Sequence, residues 1–331
     1  MKRPSFYSPD RAGNLYLPRY NLIQTEAQEL HKEFKPVEDS EMIALFLIDP
    51  QVGFCIPGAS LYVDGAEKDI ERICDFIYHN LERIDEILVS LDTHTVFQIH
   101  TPGFWVNDQN ESPDPFTIIT LEDVKEKKWR PYAEWIPIEL IESYLEQLEK
   151  SKKYILITWE YHTQKGSVDN AVVPMLYEML FFYSLMRGKE IKWVIKGESP
   201  WTENYSVLSP EIPNLYFKDG SLKVVGNFDE NLMTDLMGFD RIYVAGEASS
   251  HCVKATLEDM LKSIQHAQKR VPDTFYGYKE NKIYILEDCM SPVKPTPGSP
   301  DFPAIAEEAL ANFKLAGMKV VKSTDDFERQ R

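Results

Sequence analysis

Short apolar runs rich in Ile, Val, Leu and Tyr recur along the chain, and longer stretches with helical periodicity separate them. A chain in which strands alternate with helices buries them best as a mainly parallel sheet that carries helices on both faces. We therefore predict an α/β fold with three layers and a six-stranded, mainly parallel sheet. The runs that could supply strands lie at 43–49, 86–92, 153–159, 191–196, 241–247 and 282–288, with a shorter run at 319–321.

Two of the intervening stretches have the spacing of amphipathic helices, because apolar residues recur three or four positions apart. After the first run these residues are Ile70, Ile73, Cys74, Ile77, Leu81 and Ile84. In the second stretch they are Val253, Leu257, Met260, Leu261 and Ile264. Cys74 lies on such an apolar face, so we predict that it is a core residue.

Composition and charge exclude several classes of protein. The 331 residues are 43% hydrophobic and carry a formal net charge of −17. An acidic chain is repelled by nucleic acid and by anionic membranes, so we expect neither as a main partner. No stretch supplies the roughly 18 uninterrupted apolar residues of a membrane span, and the N-terminus lacks the apolar core of a signal peptide. The four cysteines form neither a disulfide framework nor a C-x-x-C pair, which favours a cytoplasmic protein.

Three parts of the chain fit the alternating pattern poorly: residues 1–40, the stretch from about 101 to 150, and 271–281. The middle stretch begins with turn-forming residues and ends in "PIELIESYLEQLEKSKK", which predicts an amphipathic helix. We interpret residues 1–40 as an N-terminal extension and 41–331 as one domain. The stretch at about 101–150 is then an insertion in that domain, over or beside the ligand site.

Polar or aromatic residues end five of the predicted strands or follow them directly. The carboxyl ends of parallel strands meet at one edge of a sheet, and this edge is where open α/β sheets bind their ligands. Packing does not explain charged residues there, because buried charges are costly unless they are paired or used. The residues are Asp49, Asp92, Trp159, Lys196 and Cys252.

Cys252 is the predicted nucleophile. It follows the apolar run "RIYVAGE" and opens a predicted helix, whose N-terminus offers unpaired N–H groups and a partial positive charge. A thiolate that attacks a carbonyl group also needs a cation and a group that moves protons. Lys196 and Asp49 supply these two roles at the same edge of the predicted sheet.

Other residues compete for these roles. Cys289 follows a strand, but the three prolines in "MSPVKPTPG" prevent a helix from opening there. Cys55 lies after Asp49 without a cation at a fixed spacing. His251 is next to Cys252, but neighbouring residues on a helix point in different directions, which argues against a Cys–His dyad.

A second group of residues predicts a metal site. "LDTHTVFQIH" places Asp92 and His94 just past a strand, with His100 six positions further, and "TWEYHTQKG" offers His162. An Asp-x-His pair completed by a histidine from another loop can hold one divalent ion. Mixed carboxylate and imidazole ligands do not select sharply among zinc, iron and manganese.

At this point the sequence resembles nicotinamidases of the isochorismatase-like cysteine hydrolase superfamily, from about residue 42 to 325 apart from the insertion. "ALFLIDPQVGFCIPGASLYVDGA" contains that family's D-x-Q-x-x-F start and its later G-x-S/A-L-x-V-x-G-A. "VIKGESPWTENYSVL" contains its K-G followed by Y-S, and "VAGEASSHCVKAT" resembles its V-x-G-x-A-T-D-x-C-V-x-x-T signature. Ser249 and Ser250 replace the usual Thr and Asp, which leaves the local hydrogen bonds open.

The resemblance implies roles for individual residues. It implies Asp49, Lys196 and Cys252 as a catalytic triad in a cysteine hydrolase domain, with the backbone N–H groups of Ala248 and Cys252 as oxyanion hole. It also implies a cis peptide bond between Glu247 and Ala248.

The metal and substrate sites follow from the same resemblance. Asp92, His94 and His162 match the metal ligands of nicotinamidases, and His100 matches a histidine that is a ligand only in some members. The family's D-W-H-P reads D-T-H-T here, and its W-P-x-H-C-x-x-G-T reads "WEYHTQKGS". Phe54 and Trp159 match the aromatic side chains that flank the nicotinamide ring.

The resemblance therefore implies hydrolysis of nicotinamide to nicotinate and ammonia through a thioester, as a step of NAD salvage, with one divalent ion per chain. The substrate would be a small amide, and the sequence also allows a homo-oligomer. Two alternatives remain open: the same chemistry on another amide or an isochorismatase-type substrate, and a non-catalytic interaction protein that keeps the fold.

Overall fold

The computed structural model describes residues 4–37, 41–270, 277–296, 298–325 and 327. Its strands are β1 (Ile43–Ile48), β2 (Glu86–Asp92), β3 (Trp105–Val106), β4 (Arg130–Pro131), β5 (Lys192–Lys196), β6 (Asn214–Tyr216), β7 (Leu222–Val224), β8 (Arg241–Gly246), β9 (Ile283–Leu286) and β10 (Lys319–Val321). Its α-helices are α1 (Tyr20–Leu30), α2 (Val52–Cys55), α3 (Ala66–His79), α4 (Leu121–Lys125), α5 (Ile138–Ser151), α6 (Pro174–Arg187), α7 (Glu230–Met237), α8 (Cys252–Arg270) and α9 (Phe302–Leu315). Short 3-10 helices lie at Pro9–Arg11, Pro102–Phe104, Val168–Asn170 and Glu280–Lys282.

Six strands form one sheet in the order β10-β9-β8-β1-β2-β5, and every pairing in it is parallel. The six residues of β1, at the centre, are all buried because the sheet is covered on both faces. Odd-numbered residues of β1 face a core shared with α1, α3 and α6, and even-numbered residues face a second core shared with α7, α8 and α9. The predicted three-layer α/β fold with a six-stranded parallel sheet is confirmed.

The predicted strand at 153–159 is wrong. This segment is extended but lies outside the main sheet, and it forms only an isolated antiparallel bridge between Ile118 and Ile157. Its backbone bonds to the preceding segment instead: Ile119 donates to Leu156 at 3.0 Å, and Thr158 donates to Thr117 at 2.9 Å. The place beside β2 is taken by β5, so the sheet ends there.

The stretch that sequence analysis treats as an insertion has a hydrophobic cluster of its own. Trp105, Leu140, Tyr144 and further residues of 99–156 pack together, joined by Leu215 of β6. The predicted amphipathic helix is present as α5. Phe116 of this stretch contacts Trp159, and their ring centroids lie 5.8 Å apart.

The N-terminal segment is attached to α6 by a buried ion pair. The guanidinium of Arg19 donates to both carboxylate oxygens of Glu178, at 2.9 and 2.6 Å, and Tyr16 donates to the same carboxylate at 3.1 Å. The Glu178 side chain is 1% exposed, so these donors offset the cost of burying its charge. None of the described helices is long and apolar enough to cross a membrane.

Candidate active site

Lys196, the last residue of β5, is the centre of the site. Its Nζ lies 3.1 Å from Asp49 Oδ2, 2.8 Å from Asp92 Oδ1 and 3.7 Å from Cys252 Sγ. It also donates to the carbonyl oxygen of Asn204 at 2.8 Å. Burial alone would lower the pKa of Lys196, but the two carboxylates raise it well above its usual value. A permanently charged ammonium group therefore joins three of the residues predicted to meet at this edge.

Asp49 follows β1 in a backbone conformation that few side chains adopt, with φ at +47°. Its Oδ1 accepts a hydrogen bond of 2.6 Å from the Ser90 hydroxyl, while Oδ2 faces the Lys196 ammonium at 3.1 Å. Burial raises the pKa of Asp49, and the nearby Lys196 ammonium partly offsets this. Strained conformations are kept where the surroundings require a particular side-chain position, and here the result is a carboxylate held between Ser90 and Lys196.

Cys252 begins α8, as predicted, and is 7% exposed. The turn before it is tight, because the N–H groups of His251 and Val253 both donate to the carbonyl oxygen of Ala248. The peptide bond between Glu247 and Ala248 is cis, as the family resemblance implied. Burial raises the pKa of the Cys252 thiol well above its usual value, and Lys196 acts in the opposite direction. Reaction of Cys252 as a nucleophile therefore depends on a group that can take the thiol proton.

The competing residues are placed elsewhere. Cys55 and Cys289 are fully buried, and burial raises the pKa of both thiols. Cys74 lies in the core between α3 and the sheet, as predicted. The Nδ1 of His251 lies 2.9 Å from the Ser250 hydroxyl, and burial lowers the pKa of its imidazole to about 3. Neutral and bonded to Ser250, His251 does not form a dyad with Cys252.

Asp92, His94 and His162 come together beside Lys196. One ligand atom of each lies within 4.8 Å of the others, and all three residues are buried. The two loops that carry the histidines run side by side, since His94 donates its N–H to the carbonyl oxygen of Thr163 at 3.1 Å. This pairing brings residues 68 positions apart in the sequence to one point.

The donor atoms fit a divalent ion. The Nδ1 of His94 lies 3.2 Å from the carbonyl oxygen of Gly197, and that of His162 lies 2.6 Å from the carbonyl oxygen of Glu160. A carbonyl oxygen can only accept, so each Nδ1 carries a proton and Nε2 is left to act as ligand. His94 Nε2 lies 2.8 Å from Asp92 Oδ2. An unprotonated Nε2 and a carboxylate oxygen are both hydrogen-bond acceptors. At this distance a positive charge has to lie between them, and either a metal ion or a proton on Nε2 can provide it.

Neighbouring residues hold Asp92 in place. Gln51 forms two hydrogen bonds with its backbone, donating to the carbonyl oxygen at 2.8 Å and accepting from the N–H at 2.7 Å. Gly197 has φ at +85°, and a Cβ atom there would lie 2.7 Å from Asp92 Oδ1. A side chain at position 197 would therefore displace the carboxylate, which explains why a glycine follows Lys196.

His94 also belongs to a second cluster, with His100 and Glu203. His100 Nδ1 lies 3.3 Å from Glu203 Oε2, yet neither ring nitrogen of His100 has a hydrogen-bond partner among the described residues. Burial lowers the pKa of His100 and raises that of Glu203. Sequence analysis missed Glu203, since an acid in the loop after β5 has no characteristic spacing to His94 or His100. The one available signal was its position in the stretch that follows the K-G pair.

A narrow pocket with a volume of about 30 Å³ lies beside this cluster and Cys252. Phe54 and Trp159 both line it, although Trp159 comes from an extended segment and not from a strand end as predicted. Trp159 Nε1 donates to the Tyr205 hydroxyl at 3.0 Å. Tyr205 is a further lining residue that sequence analysis did not assign. The pocket thus combines a charged floor with an aromatic wall, and the Cys252 thiol lies between them.

Comparisons with known proteins test the fold. No family model and no curated protein matches the sequence. Solved structures do match. Yeast nicotinamidase Pnc1p has a TM-score of 0.53 and 19% identity, over 85% of this chain and 99% of that chain. The same yeast enzyme bound to the inhibitor nicotinaldehyde has a TM-score of 0.53 and 20% identity, over 85% of this chain and 100% of that chain. This chain has the nicotinamidase fold.

A third structure, the Acinetobacter baumanii nicotinamidase pyrazinamidease, has a TM-score of 0.52 and 18% identity, over 87% of this chain and 99% of that chain. In this fold the motifs that suggested the resemblance lie at the ends of strands: the D-x-Q start between β1 and α2, the K-G pair at the end of β5, and the cysteine signature between β8 and α8. The expected fold is thereby confirmed.

Proposed function

We propose that the protein is a cysteine amidohydrolase that converts nicotinamide to nicotinate and ammonia. The single observation that carries this proposal is the position of Lys196, whose ammonium group contacts Asp49, Asp92 and Cys252 at once. A packing role does not require two buried carboxylates, an ammonium and a thiol in contact, and a binding module has no need of them.

The reaction begins with proton transfer. Asp49 Oδ2 takes the proton of Cys252, and Lys196 stabilises the thiolate that forms. The sulfur then attacks the carboxamide carbon, and the negative charge that develops on the carbonyl oxygen is stabilised by the N–H groups of Ala248 and Cys252. Asp49 returns its proton to the amide nitrogen, the C–N bond breaks, and ammonia leaves.

The second half of the reaction regenerates the thiol. Asp49 takes a proton from a water molecule, which attacks the thioester carbon, and the carbon–sulfur bond breaks. The proton returns to Cys252 and the carboxylic acid product departs. One group therefore acts twice as base and twice as acid, which suits a carboxylate whose pKa is raised by burial and limited by Lys196.

We propose that Asp92, His94 and His162 hold one divalent ion. The ion would supply a Lewis acid for a lone pair of the substrate ring, which orients the carboxamide towards Cys252. Phe54 and Trp159 would enclose the ring, and Lys196 would connect the ligand Asp92 with the thiol. Glu203 and His100 lie within reach of the same region through His94.

The deciding experiment measures ammonia release from nicotinamide and from a panel of other amides, with and without a chelator, together with the metal content of the purified protein. We expect nicotinamide to be the best substrate and one divalent ion per chain. His162→Ala should weaken nicotinamide binding yet leave Cys252 reactive towards a small alkylating agent. The matched control is His79→Ala, at an exposed position on α3.

Preference for another amide would keep the cysteine hydrolase chemistry and replace the substrate. Release of ammonia from no amide would favour the non-catalytic alternative. Full activity of metal-free protein, or of the His162→Ala variant, would remove the metal site from the proposal.

A further inference from the structure

The free edge of the main sheet carries an apolar surface that no role in the proposed reaction explains. β5 is the last strand of the sheet, and within the described ranges no other strand pairs with its outer side. Trp193 and Ile195 on this strand are 43% and 58% exposed. Strands of parallel sheets are normally covered, and open edges that display apolar side chains pair readily with another strand.

Beside the edge strand lies a groove of about 710 Å³ between residues 15–20 of the N-terminal segment, α6 and residues 168–174. None of its lining residues is charged, although charged residues make up 27% of the chain. They are Leu15, Tyr16, Leu17, Pro18, Tyr20, Val52, Leu91, Val168, Ala171, Val172, Pro174, Tyr177 and Trp193. We refer to this groove together with β5 as the edge surface.

We propose that the edge surface binds a second copy of this chain, with β5 of one protomer pairing antiparallel to β5 of its partner. The proposal is independent of the proposed enzymatic activity. It extends the six-stranded sheet of each protomer into a continuous twelve-stranded sheet across a two-fold axis.

The hydrogen bonds within the sheet determine which backbone N–H and C=O groups of β5 are available to a partner strand. The carbonyl oxygen of Lys196 accepts a hydrogen bond from Thr93, which follows β2, so the backbone groups of Lys196 point inwards. Backbone groups alternate in direction along a strand, and therefore those of Val194 also point inwards. Trp193 and Ile195 consequently present their N–H and C=O groups to the outside.

Several antiparallel registers satisfy this alternation, and the overlap of the two strands is greatest when the axis passes beside Val194. If the two-fold axis passes beside Val194, Trp193 of one protomer lies opposite Ile195 of the other, and both such pairs exchange two backbone hydrogen bonds. The same register overlaps all five residues of β5. The two exposed apolar side chains then meet each other on one face of the joined sheet, which is a favourable cross-strand pair.

The amount of exposed apolar surface is sufficient for a dimer. Exposed fractions of the largest contributors are Leu15 54%, Leu17 89%, Tyr20 46%, Val168 60%, Trp193 43% and Ile195 58%. If the roughly 150–250 Å² of an aromatic side chain is used as the scale for all six, these fractions correspond to about 500–900 Å² on each protomer, a range that includes the ~800 Å² that each partner of a stable complex contributes.

Charge also favours this surface over others. Two chains that each carry a net charge of −17 repel one another at most orientations. The groove brings no charged side chain to the contact, and the ammonium of Lys192 on the other face of β5 is already paired with Asp235. A second copy that docks here therefore meets an uncharged groove.

The test is the mass of the full chain in solution, measured by light scattering over a range of micromolar concentrations. We expect a dimer for the natural sequence. Trp193→Lys should raise the dissociation constant by at least about 30-fold, because it places a lysine next to the axis in each protomer. The matched control is Leu315→Lys, which alters a side chain that is 86% exposed at the end of α9 and should leave the dimer intact.

A second variant tests the register and does not depend on Trp193→Lys being folded. Val194→Cys should form an intermolecular disulfide on mild oxidation, since residues that face each other across the axis in a non-hydrogen-bonded pair are close enough to be bridged. The unaltered chain should give no such cross-link, because its four cysteines are buried. A monomeric natural protein, a dimer that survives Trp193→Lys, or the absence of a cross-link in Val194→Cys would overturn the proposal.

Discussion

The floor and the wall of the pocket are built in different ways. The floor consists of Asp92, which lines the pocket, together with Lys196 and Asp49, which are joined to it by ion pairs of 2.8 and 3.1 Å. The wall consists of aromatic side chains that pack against each other, with one hydrogen bond between Trp159 and Tyr205. Removing one partner from a buried group of charges leaves the others uncompensated, whereas an aromatic wall loses only the contacts of the altered ring. We therefore expect the floor to control turnover and the wall to control affinity.

The largest effect should come from the nucleophile. Cys252→Ala should lower ammonia release by more than ~10⁴-fold, because no other group in the pocket can form the thioester. The protein should remain folded, since a small apolar side chain replaces another at the start of α8. Ammonia release and thermal unfolding are the measurements. Cys289→Ala is the matched control, with normal turnover expected; mass spectrometry that finds Cys289 or Cys55 acylated by substrate would contradict the assignment.

Asp49→Asn should lower turnover by about 10²–10⁴-fold, which is the usual contribution of acid–base catalysis. Steady-state kinetics should show the loss in kcat. As a control, Glu178→Gln alters another buried carboxylate, held by Arg19 and far from Cys252. That change should lower the free energy of unfolding by about 3 kcal/mol with little change in turnover. If the kcat of the Asp49→Asn variant lay within tenfold of the natural value, the floor would not control turnover.

Lys196→Met tests the electrostatic part of the floor. The ammonium group lowers the pKa of Cys252 against the effect of burial, so its loss should raise that pKa further. At any pH below the pKa less thiolate is then present, and alkylation should slow by about tenfold for each unit of pKa. The rate of alkylation as a function of pH is the measurement. Lys192→Met, at the other end of β5, should leave the profile unchanged, and an unchanged profile for Lys196→Met would show that Lys196 does not act on the thiol.

The smallest effect should come from the wall. Tyr205→Phe removes the acceptor of the Trp159 N–H and leaves that buried donor unpaired, which should raise KM by about 2- to 10-fold with nearly unchanged kcat. Tyr154→Phe is the comparison, because Tyr154 contacts Tyr205 at 4.6 Å between ring centroids but does not line the pocket. If Tyr205→Phe mainly lowered kcat, the wall would control turnover as well, and its role would not differ from that of the floor.

Much of the fold could be predicted from local patterns. The strands β1, β2, β5, β8 and β9 and the helices α3, α5 and α8 appear where apolar periodicity indicated them. Periodicity failed at 153–159, whose apolar residues are divided between two cores: Leu156 packs with the segment 99–156, and Ile157 and Trp159 pack with α8 and α9. An extended, apolar segment has the same pattern whether it joins a sheet or crosses between two clusters, so the sequence could not distinguish the two.

The sequence by itself determined which chemical groups stand at the carboxyl edge of the sheet, because strand ends, the glycine after Lys196 and the helix start at Cys252 are local features. The tertiary structure alone decided how these groups contact one another. Distances from Lys196 to Asp49, Asp92 and Cys252, the hydroxyl of Ser90 on Asp49, and the approach of Glu203 to His100 all depend on loops that fold together from distant parts of the chain. Local sequence patterns indicate the conformation of a segment but not which other segments lie beside it. The charges of this site are balanced between residues that are distant in the sequence and adjacent in the structure.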